Sequence, residues 1–189
     1  NFTSLMHNVV NQMLLALKAK QVVDYAVQAL NEGEKPVITL ANTMGSFIER
    51  YTTDFNVSPG EAVALSFRDV LIRYLKKARD VRIKAPDGTT SVHYLTDDEL
   101  GPTALAQWKA AEKHIRTAKG LDELPISPID YLHSQLRRLK HPSKNRNVTT
   151  GEITGRTHTI EYSATGMKFV MRPDSQTNAG ARRVLVNQF

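Results

Sequence analysis

The sequence predicts an α/β fold, in which helices flank an open sheet, and three patterns support this. Residues 37–41 (VITLA) form a short apolar run that suits a strand buried on both faces. Apolar residues at helical spacing precede this run in residues 18–31 and follow it around Phe47. Asn42 and Thr43 form a polar turn between strand and helix that can cap the second helix. Ligands in such sheets usually bind at the carboxyl ends of strands, so this turn is a candidate site.

The rest of the chain is predicted to contain further helices, one hairpin and two late strands. Apolar spacing predicts helices over residues 2–19, 62–78, 96–118, 129–139 and 174–188. Alternating residues predict strands over residues 81–84, 91–95, 157–162 and 167–172. Asp87 and Gly88 lie between the first two strands and indicate a hairpin turn. Because an alternating strand–helix fold does not need a hairpin, residues 80–96 are interpreted as part of an insertion.

Composition and charge limit the classes of function. The chain has no cysteine, which excludes disulfides, zinc–thiolate sites and thiol catalysis. Its 25 basic and 19 acidic residues give a net charge of +6, which favours a polyanionic partner. No apolar run reaches the length of a membrane span and no signal peptide is visible, so we expect a cytoplasmic location. Because the chain starts with Asn1 and stops inside a predicted helix, we expect a fragment of a larger protein.

No motif predicts a self-contained catalytic or metal site. A glycine-rich phosphate loop and a dinucleotide-binding fingerprint are both absent from the sequence. The six histidines show no metal-binding spacing, so each is interpreted as a surface or lightly packed residue. The adjacent acids Asp97, Asp98 and Glu99 are explained by helix capping more simply than by acid–base catalysis. We therefore predict no catalytic residue and no metal ligand in this chain.

A basic run near the middle of the chain is the first candidate for contact with phosphates. It contains Arg137, Arg138, Lys140, Lys144 and Arg146, and it is interrupted by proline and serine. Such a loop would bind nucleic acid in a sequence-independent and salt-sensitive way. The alternative is a solvated loop without a partner, and the sequence leaves both interpretations open.

The short turn Thr154-Gly155-Arg156 is the second candidate. Glycine allows close backbone approach, threonine offers a hydroxyl group, and arginine can bind a phosphate through two parallel hydrogen bonds. A tight turn with an exposed arginine is the alternative, and it also stays open.

Several segments, taken in order, resemble one protein family. They are residues 33–45 (GEKPVITLANTMG), 121–130 (LDELPISPID), 148–156 (VTTGEITGR) and 179–189 (AGARRVLVNQF). In this order they resemble the second RecA-like lobe of strawberry-notch-like superfamily 2 helicases. Bacterial, phage and plasmid relatives often join such a helicase to a DNA methyltransferase region. The resemblance covers most of the chain but is patchy between residues 54 and 119.

The resemblance implies a partial RecA-like (P-loop NTPase-like) open sheet with a helical and hairpin insertion. Residues 1–53 would start the lobe, 54–147 would form the insertion, and 148–189 would return to a truncated lobe. Residues 37–42 would correspond to the fourth helicase motif, with Asn42 and Thr43 contacting the nucleic-acid backbone. Thr154 and Arg156 fall in a matching segment to which the family resemblance assigns no role.

The resemblance also implies the partners and cofactors. The parent protein would be an ATP-dependent DNA helicase or translocase that uses ATP and Mg²⁺. The phosphate loop and the acidic metal-binding motif would belong to a first lobe that this chain lacks, so no cofactor is expected here. The fragment should neither hydrolyse ATP nor unwind DNA alone. Expected partners are nucleic acid, most simply DNA, the first lobe, and a second copy paired through an open sheet edge.

Two other function classes stay open from the sequence. One is a non-enzymatic nucleic-acid-binding or assembly module, in which the α/β unit is only a scaffold. The other is a small-molecule enzyme that uses the turn at Asn42, although no nucleophile or base supports it.

Overall fold

The protein has a mixed α/β fold, which confirms the predicted class at that level. The computed structural model describes residues 2–40, 45–54, 56–63 and 65–188 of the 189-residue chain. In chain order, the elements are α1 (Phe2–Asn31), α2 (Gly45–Asp54), β1 (Ala62–Val63), α3 (Phe67–Lys77), β2 (Asp80–Lys84), β3 (Thr90–Tyr94), α4 (Asp97–Thr117), α5 (Pro128–Arg137), β4 (His158–Ser163), β5 (Gly166–Met171), α6 (Asp174–Thr177) and α7 (Ala179–Gln188).

The chain divides into two compact units, each built from two stretches of sequence. The first unit comprises Asn1–Val10 and Leu65–Leu124, and the second comprises Asn11–Ala64 and Pro125–Phe189. The first unit holds the hairpin β2–β3 together with α3 and α4. The second holds the antiparallel sheet β1–β5–β4. The predicted insertion over residues 54–147 concerns the lobe of the parent protein, and its boundaries remain a prediction.

Two capping boxes set the helix starts of the first unit. The Ser66 hydroxyl accepts a hydrogen bond from Asp69 N, and the Asp69 carboxylate accepts one from Ser66 N at 2.7 Å. Thr96 and Glu99 make the same reciprocal pair at the start of α4, as the sequence predicted. Each box satisfies backbone N–H groups that have no partner inside the helix. Helix α3 therefore begins at Phe67, about one turn after its predicted start.

The predicted hairpin β2–β3 is confirmed, and a buried arginine joins it to α4. The strands pair antiparallel, from Asp80 opposite Tyr94 to Lys84 opposite Thr90. The Arg79 guanidinium lies 5.0 Å from the Tyr94 ring centre and 4.9 Å from that of Trp108. It also forms an ion pair with Asp97 at 2.5 Å. This arginine is engaged inside the unit, with only 5% of its surface exposed.

The sheet of the second unit has one buried face. Ile160 and Phe169 lie opposite each other in the β4–β5 register, and both are almost fully buried. Val63 on β1 and Ile48 on α2 are also part of the buried core. A separate apolar cluster joins α1 to the segment after α5. Its buried members are Ala26, Leu136 and Val148.

The expected buried strand over residues 37–41 is not found, and this prediction is wrong for residues 37–40. These four residues have no regular secondary structure, and Val37 is 74% exposed. Only Ile38 packs against the apolar cluster of α1. A short apolar run does not distinguish a strand from a loop that inserts one side chain into a core. Ala41 and the predicted site residues Asn42 and Thr43 lie outside the described residues.

Three other elements differ from their predicted bounds. Helix α1 is continuous where two helices were expected, since neither glycine nor proline occurs before its end. Residues 62–63 pair with β5 instead of starting a helix. The last predicted helix is divided at Asn178, whose extended backbone ends α6 and whose side chain accepts a hydrogen bond from Ala181 N at 2.7 Å. The pairing with β5 decides the second of these differences, and the Asn178 side chain decides the third.

The helices that the structure describes are α1 to α7. None of them combines enough length with enough apolar character to cross a bilayer.

Substitutions at residues 37 and 38 test the position of this segment. Val37→Asp should change the free energy of unfolding by less than about 0.5 kcal/mol, because the side chain is exposed. Ile38→Ala should lower it by about 1–2 kcal/mol, because that side chain packs against the α1 cluster. Urea unfolding of both variants measures the difference. A large loss for Val37→Asp would instead support a strand buried on both faces.

Candidate functional site

A buried carboxylate near the start of α5 holds this helix against β4. Oδ2 of Asp130 accepts hydrogen bonds from Ser127 Oγ (2.6 Å), Arg156 Nη1 (2.7 Å) and Ile160 N (2.8 Å). Its Oδ1 accepts from Arg156 Nη2 at 2.5 Å and from Thr159 Oγ1. Asp130 is only 4% exposed. Because one of the donors is the backbone of β4, the position of α5 on the strand depends on this carboxylate.

Arg156 connects Asp130 to a second carboxylate, that of Glu152. Its Nε donates to Glu152 Oε1 at 2.6 Å, and its Nη2 donates to Oε2 at 2.7 Å. The Arg156 side chain is 2% exposed. Burial acts to lower the pKa of Arg156, but its hydrogen bonds to Glu152 and Asp130 outweigh this and hold the pKa above its usual value. The guanidinium therefore stays charged inside the protein.

Glu152 also interacts with groups on either side of it. Its carboxylate lies 3.0 Å from Arg172 Nη1 and 3.2 Å from His133 Nε2. Burial tends to raise the pKa of Glu152, but hydrogen bonds from Arg156, His133 and Thr154 lower it well below its usual range. The pKa of Arg172 is lowered, mainly by burial, although the Glu152 charge acts in the opposite direction. We call Asp130, Glu152, Arg156 and Arg172 the buried charge network.

A small cleft lies beside this network in the second unit. Its volume is about 150 Å³. A Cβ atom at Gly151 would collide with Leu185 of α7, so glycine permits the close approach of the two segments that form the cleft. The polar residues that line it include Arg137, Thr150, Glu152, Arg172, Gln176 and Arg182.

The predicted basic run forms an exposed loop, which we call the basic loop (residues 137–146). Two backbone hydrogen bonds close it, from His141 N to Arg146 O and from Val148 N to Leu139 O, both at 2.9 Å. The side chains of Lys140, Lys144 and Arg146 are exposed. None of the three forms an ion pair with an acid among the residues that the structure describes. The loop is thus closed at its base and carries positive charge at its surface.

The two arginines at the start of the basic loop form hydrogen bonds with other segments of the second unit. Arg137 donates from Nε to Thr150 Oγ1 at 2.7 Å. Arg138 donates from Nη2 to the Tyr162 carbonyl at 3.3 Å. Both side chains remain exposed despite these contacts. The structure therefore brings all five predicted basic residues together in one loop, with three of them extending from its closed base.

In the second predicted group, Arg156 lies in the interior and Thr154 is partly buried. Both sequence interpretations placed Arg156 at the surface, whereas the structure pairs it with two buried carboxylates. Thr154 accepts from Arg172 Nη1 at 3.0 Å and donates to Glu152. The assignment of Thr154 and Arg156 to nucleic-acid binding remains a prediction. It requires Arg156 to leave the buried charge network.

The sequence reasoning missed the carboxylates and Arg172. Two spacings carried a usable signal: Ser127 lies three residues before Asp130, and Glu152 lies four residues before Arg156. The first spacing resembles a capping box, but the Asp130 carboxylate binds Arg156 rather than capping the backbone of its own helix. Among the described residues, no group of three acids or histidines is arranged to hold a metal ion.

Comparisons with protein-family models, with curated proteins and with solved structures give no match to this chain.

The pH dependence of unfolding should reveal the charge on Glu152. Its pKa is lowered by folding, so its contribution to stability is complete above the usual glutamate value of about 4.3 and is lost as the pH falls further. Glu152→Gln should cost about 3 kcal/mol at pH 7, because it removes the negative charge that pairs with the buried Arg156 and Arg172. The difference from wild type, measured by urea unfolding, should shrink steadily below pH 4.3.

Glu161→Gln provides the control, because Glu161 is exposed on β4 of the same unit. It should stay close to wild type at every pH. A Glu152→Gln difference that is the same at pH 7 and pH 3 would contradict a charged, buried Glu152.

Proposed function

We propose that this chain is the nucleic-acid-gripping part of the second lobe of an ATP-dependent DNA helicase or translocase. The basic loop would contact the phosphate backbone without reading sequence. The observation that carries the proposal is the group of exposed basic side chains Lys140, Lys144 and Arg146, which lack acidic partners among the described residues. Cations that are not neutralised internally are available to replace the counterions of a nucleic acid.

The anchoring of the basic loop also supports this function. Leu139 near the start of the loop and Val148 just after its end belong to the apolar cluster around Ala26 and Leu136. A loop held at both ends loses less conformational freedom when it binds than a free segment would. The loop therefore presents its charges from a fixed base, as a surface that grips a backbone requires.

The assignment to a motor lobe rests on the order of the resembling segments in the sequence. In this proposal, the chain is part of a RecA-like fold that is complete only in the parent protein. ATP and Mg²⁺ would act at a first lobe, which would be a partner of this chain. The chain alone would neither hydrolyse ATP nor unwind DNA, and a free edge of its sheet could pair with a second copy.

A non-enzymatic nucleic-acid-binding or assembly module is the second candidate. It is favoured by the sheet topology, since every strand pair among the described residues is antiparallel. Both candidate functions use the basic loop to bind nucleic acid. They differ in whether the parent protein is an ATP-dependent motor. Sequence that encodes a phosphate loop upstream of Asn1 would support the motor, and its absence there would support the module.

Salt-dependent DNA binding tests the role of the basic loop. The variant Lys140→Gln/Lys144→Gln/Arg146→Gln should bind single-stranded DNA more weakly than wild type. The slope of log K against log salt concentration should fall by about 2 in magnitude, as expected for three lost phosphate contacts. Fluorescence anisotropy with a labelled oligonucleotide between low and moderate salt gives both quantities.

The matched control removes the same charge from another surface. Lys109, Lys113 and Lys119 are exposed in the first unit, and changing all three to glutamine also removes three charges. This control should keep the wild-type slope. Equal losses in the two variants would mean that only net charge matters, and would contradict the assignment of the contact to the basic loop.

A further inference from the structure

The cleft beside the buried charge network carries more positive than negative charge. Arg137, Arg172 and Arg182 all line it. Glu152 is the only acid among the described lining residues, and its carboxylate already pairs with Arg156 and with Arg172. The positive charge of the cleft therefore exceeds what its one carboxylate can neutralise.

Arg182 has an unused donor at this cleft. Its Nη2 donates to the Thr177 carbonyl at 2.9 Å. Its Nε is buried and has no hydrogen-bond partner among the residues that the structure describes. A buried charged donor without a partner is costly, so an acceptor bound beside Arg182 would stabilise the protein. An anionic acceptor would satisfy both this donor and the excess charge.

The size of the cleft limits what it can hold. Pockets for drug-sized ligands occupy about 300–1,000 Å³. The volume here is about 150 Å³, which suits a single anionic group rather than a whole nucleotide. Ser175 and Gln176 also line the cleft and can donate neutral hydrogen bonds. Planar guanidinium groups with several donors match the several oxygens of a phosphate better than they match the single atom of a halide ion.

We propose that this cleft binds one phosphate group, held by Arg182 and Arg172 with Arg137 at the side of the basic loop. The proposal goes beyond DNA gripping by the basic loop, because it rests on Arg182 of α7, on Arg172 just after β5 and on the unsatisfied Arg182 donor. The phosphate can come from a nucleic-acid backbone or from a free phosphorylated small molecule. Both sources present the same oxygens to the cleft.

Titration with inorganic phosphate at constant ionic strength tests the site on the full 189-residue chain. Chloride replaces phosphate at each step, so that only the identity of the anion changes. Phosphate should shift the Arg182 Nε–H resonance in ¹H–¹⁵N spectra saturably, and it should raise the thermal unfolding midpoint in proportion to the logarithm of its concentration above the dissociation constant. Arg182→Gln should weaken the apparent affinity by about tenfold or more, as expected for loss of a charge-assisted hydrogen bond.

Two further variants separate binding from folding. Arg183→Gln removes the same charge from the next residue of α7, which is exposed and does not line the cleft, and it should keep the wild-type response. Arg182→Lys keeps the charge but loses the planar fork, so it should bind phosphate with intermediate affinity. A response in Arg182→Gln equal to that of wild type, or no saturable response in wild type, would overturn the proposal.

Two competitors then identify the source of the phosphate. Displacement of phosphate by a single-stranded oligonucleotide points to a nucleic-acid backbone, and displacement by adenosine monophosphate points to a free phosphomonoester. The Lys140→Gln/Lys144→Gln/Arg146→Gln variant should keep its phosphate response even where DNA binding is lost. That result separates failure of the basic loop from failure of the cleft.

Discussion

The structure of the second unit depends on the burial of the Asp130 carboxylate. A buried charge is unfavourable unless it is paired and hydrogen-bonded, and Asp130 meets this condition through Arg156, two hydroxyl groups and one backbone N–H. These donors come from the residue that precedes α5, from β4 and from the turn that leads into β4. Losing one partner would leave an uncompensated charge in the interior, so the three segments are held together as a set.

The same network determines where positive charge remains available. Arg156 and Arg172 satisfy the two buried carboxylates, whereas Arg182 and the basic loop have no such acid among the described residues. Helix α5 carries Asp130 in its first turn and Arg137 in its last turn. One rigid helix therefore connects the buried charge network to the basic loop and to the cleft. The proposed phosphate contacts would rest on this arrangement, because it fixes the direction in which the exposed cations point.

Sequence patterns predicted the features that depend on neighbouring residues. They did not predict contacts between residues that are far apart in the chain. The Thr96–Glu99 capping box and the hairpin around Gly88 depend on neighbouring residues, so the sequence was sufficient to find them. The position of residues 37–40 depends on which distant core receives Ile38, which no local pattern contains. Arg156 was predicted at the surface because its partner Asp130 lies 26 residues earlier in the chain. The basic residues of the loop are exposed, as charged residues without a buried partner usually are.

A double-mutant cycle across Asp130 and Arg156 tests the central claim most directly. Urea unfolding of Asp130→Asn, Arg156→Gln and the double variant gives the coupling free energy between the two side chains. A buried, mutually dependent pair predicts a coupling of about 2 kcal/mol, with the double variant less destabilised than the sum of the single ones. Additive losses, within about 0.5 kcal/mol, would show that the two residues act independently and would contradict the buried charge network.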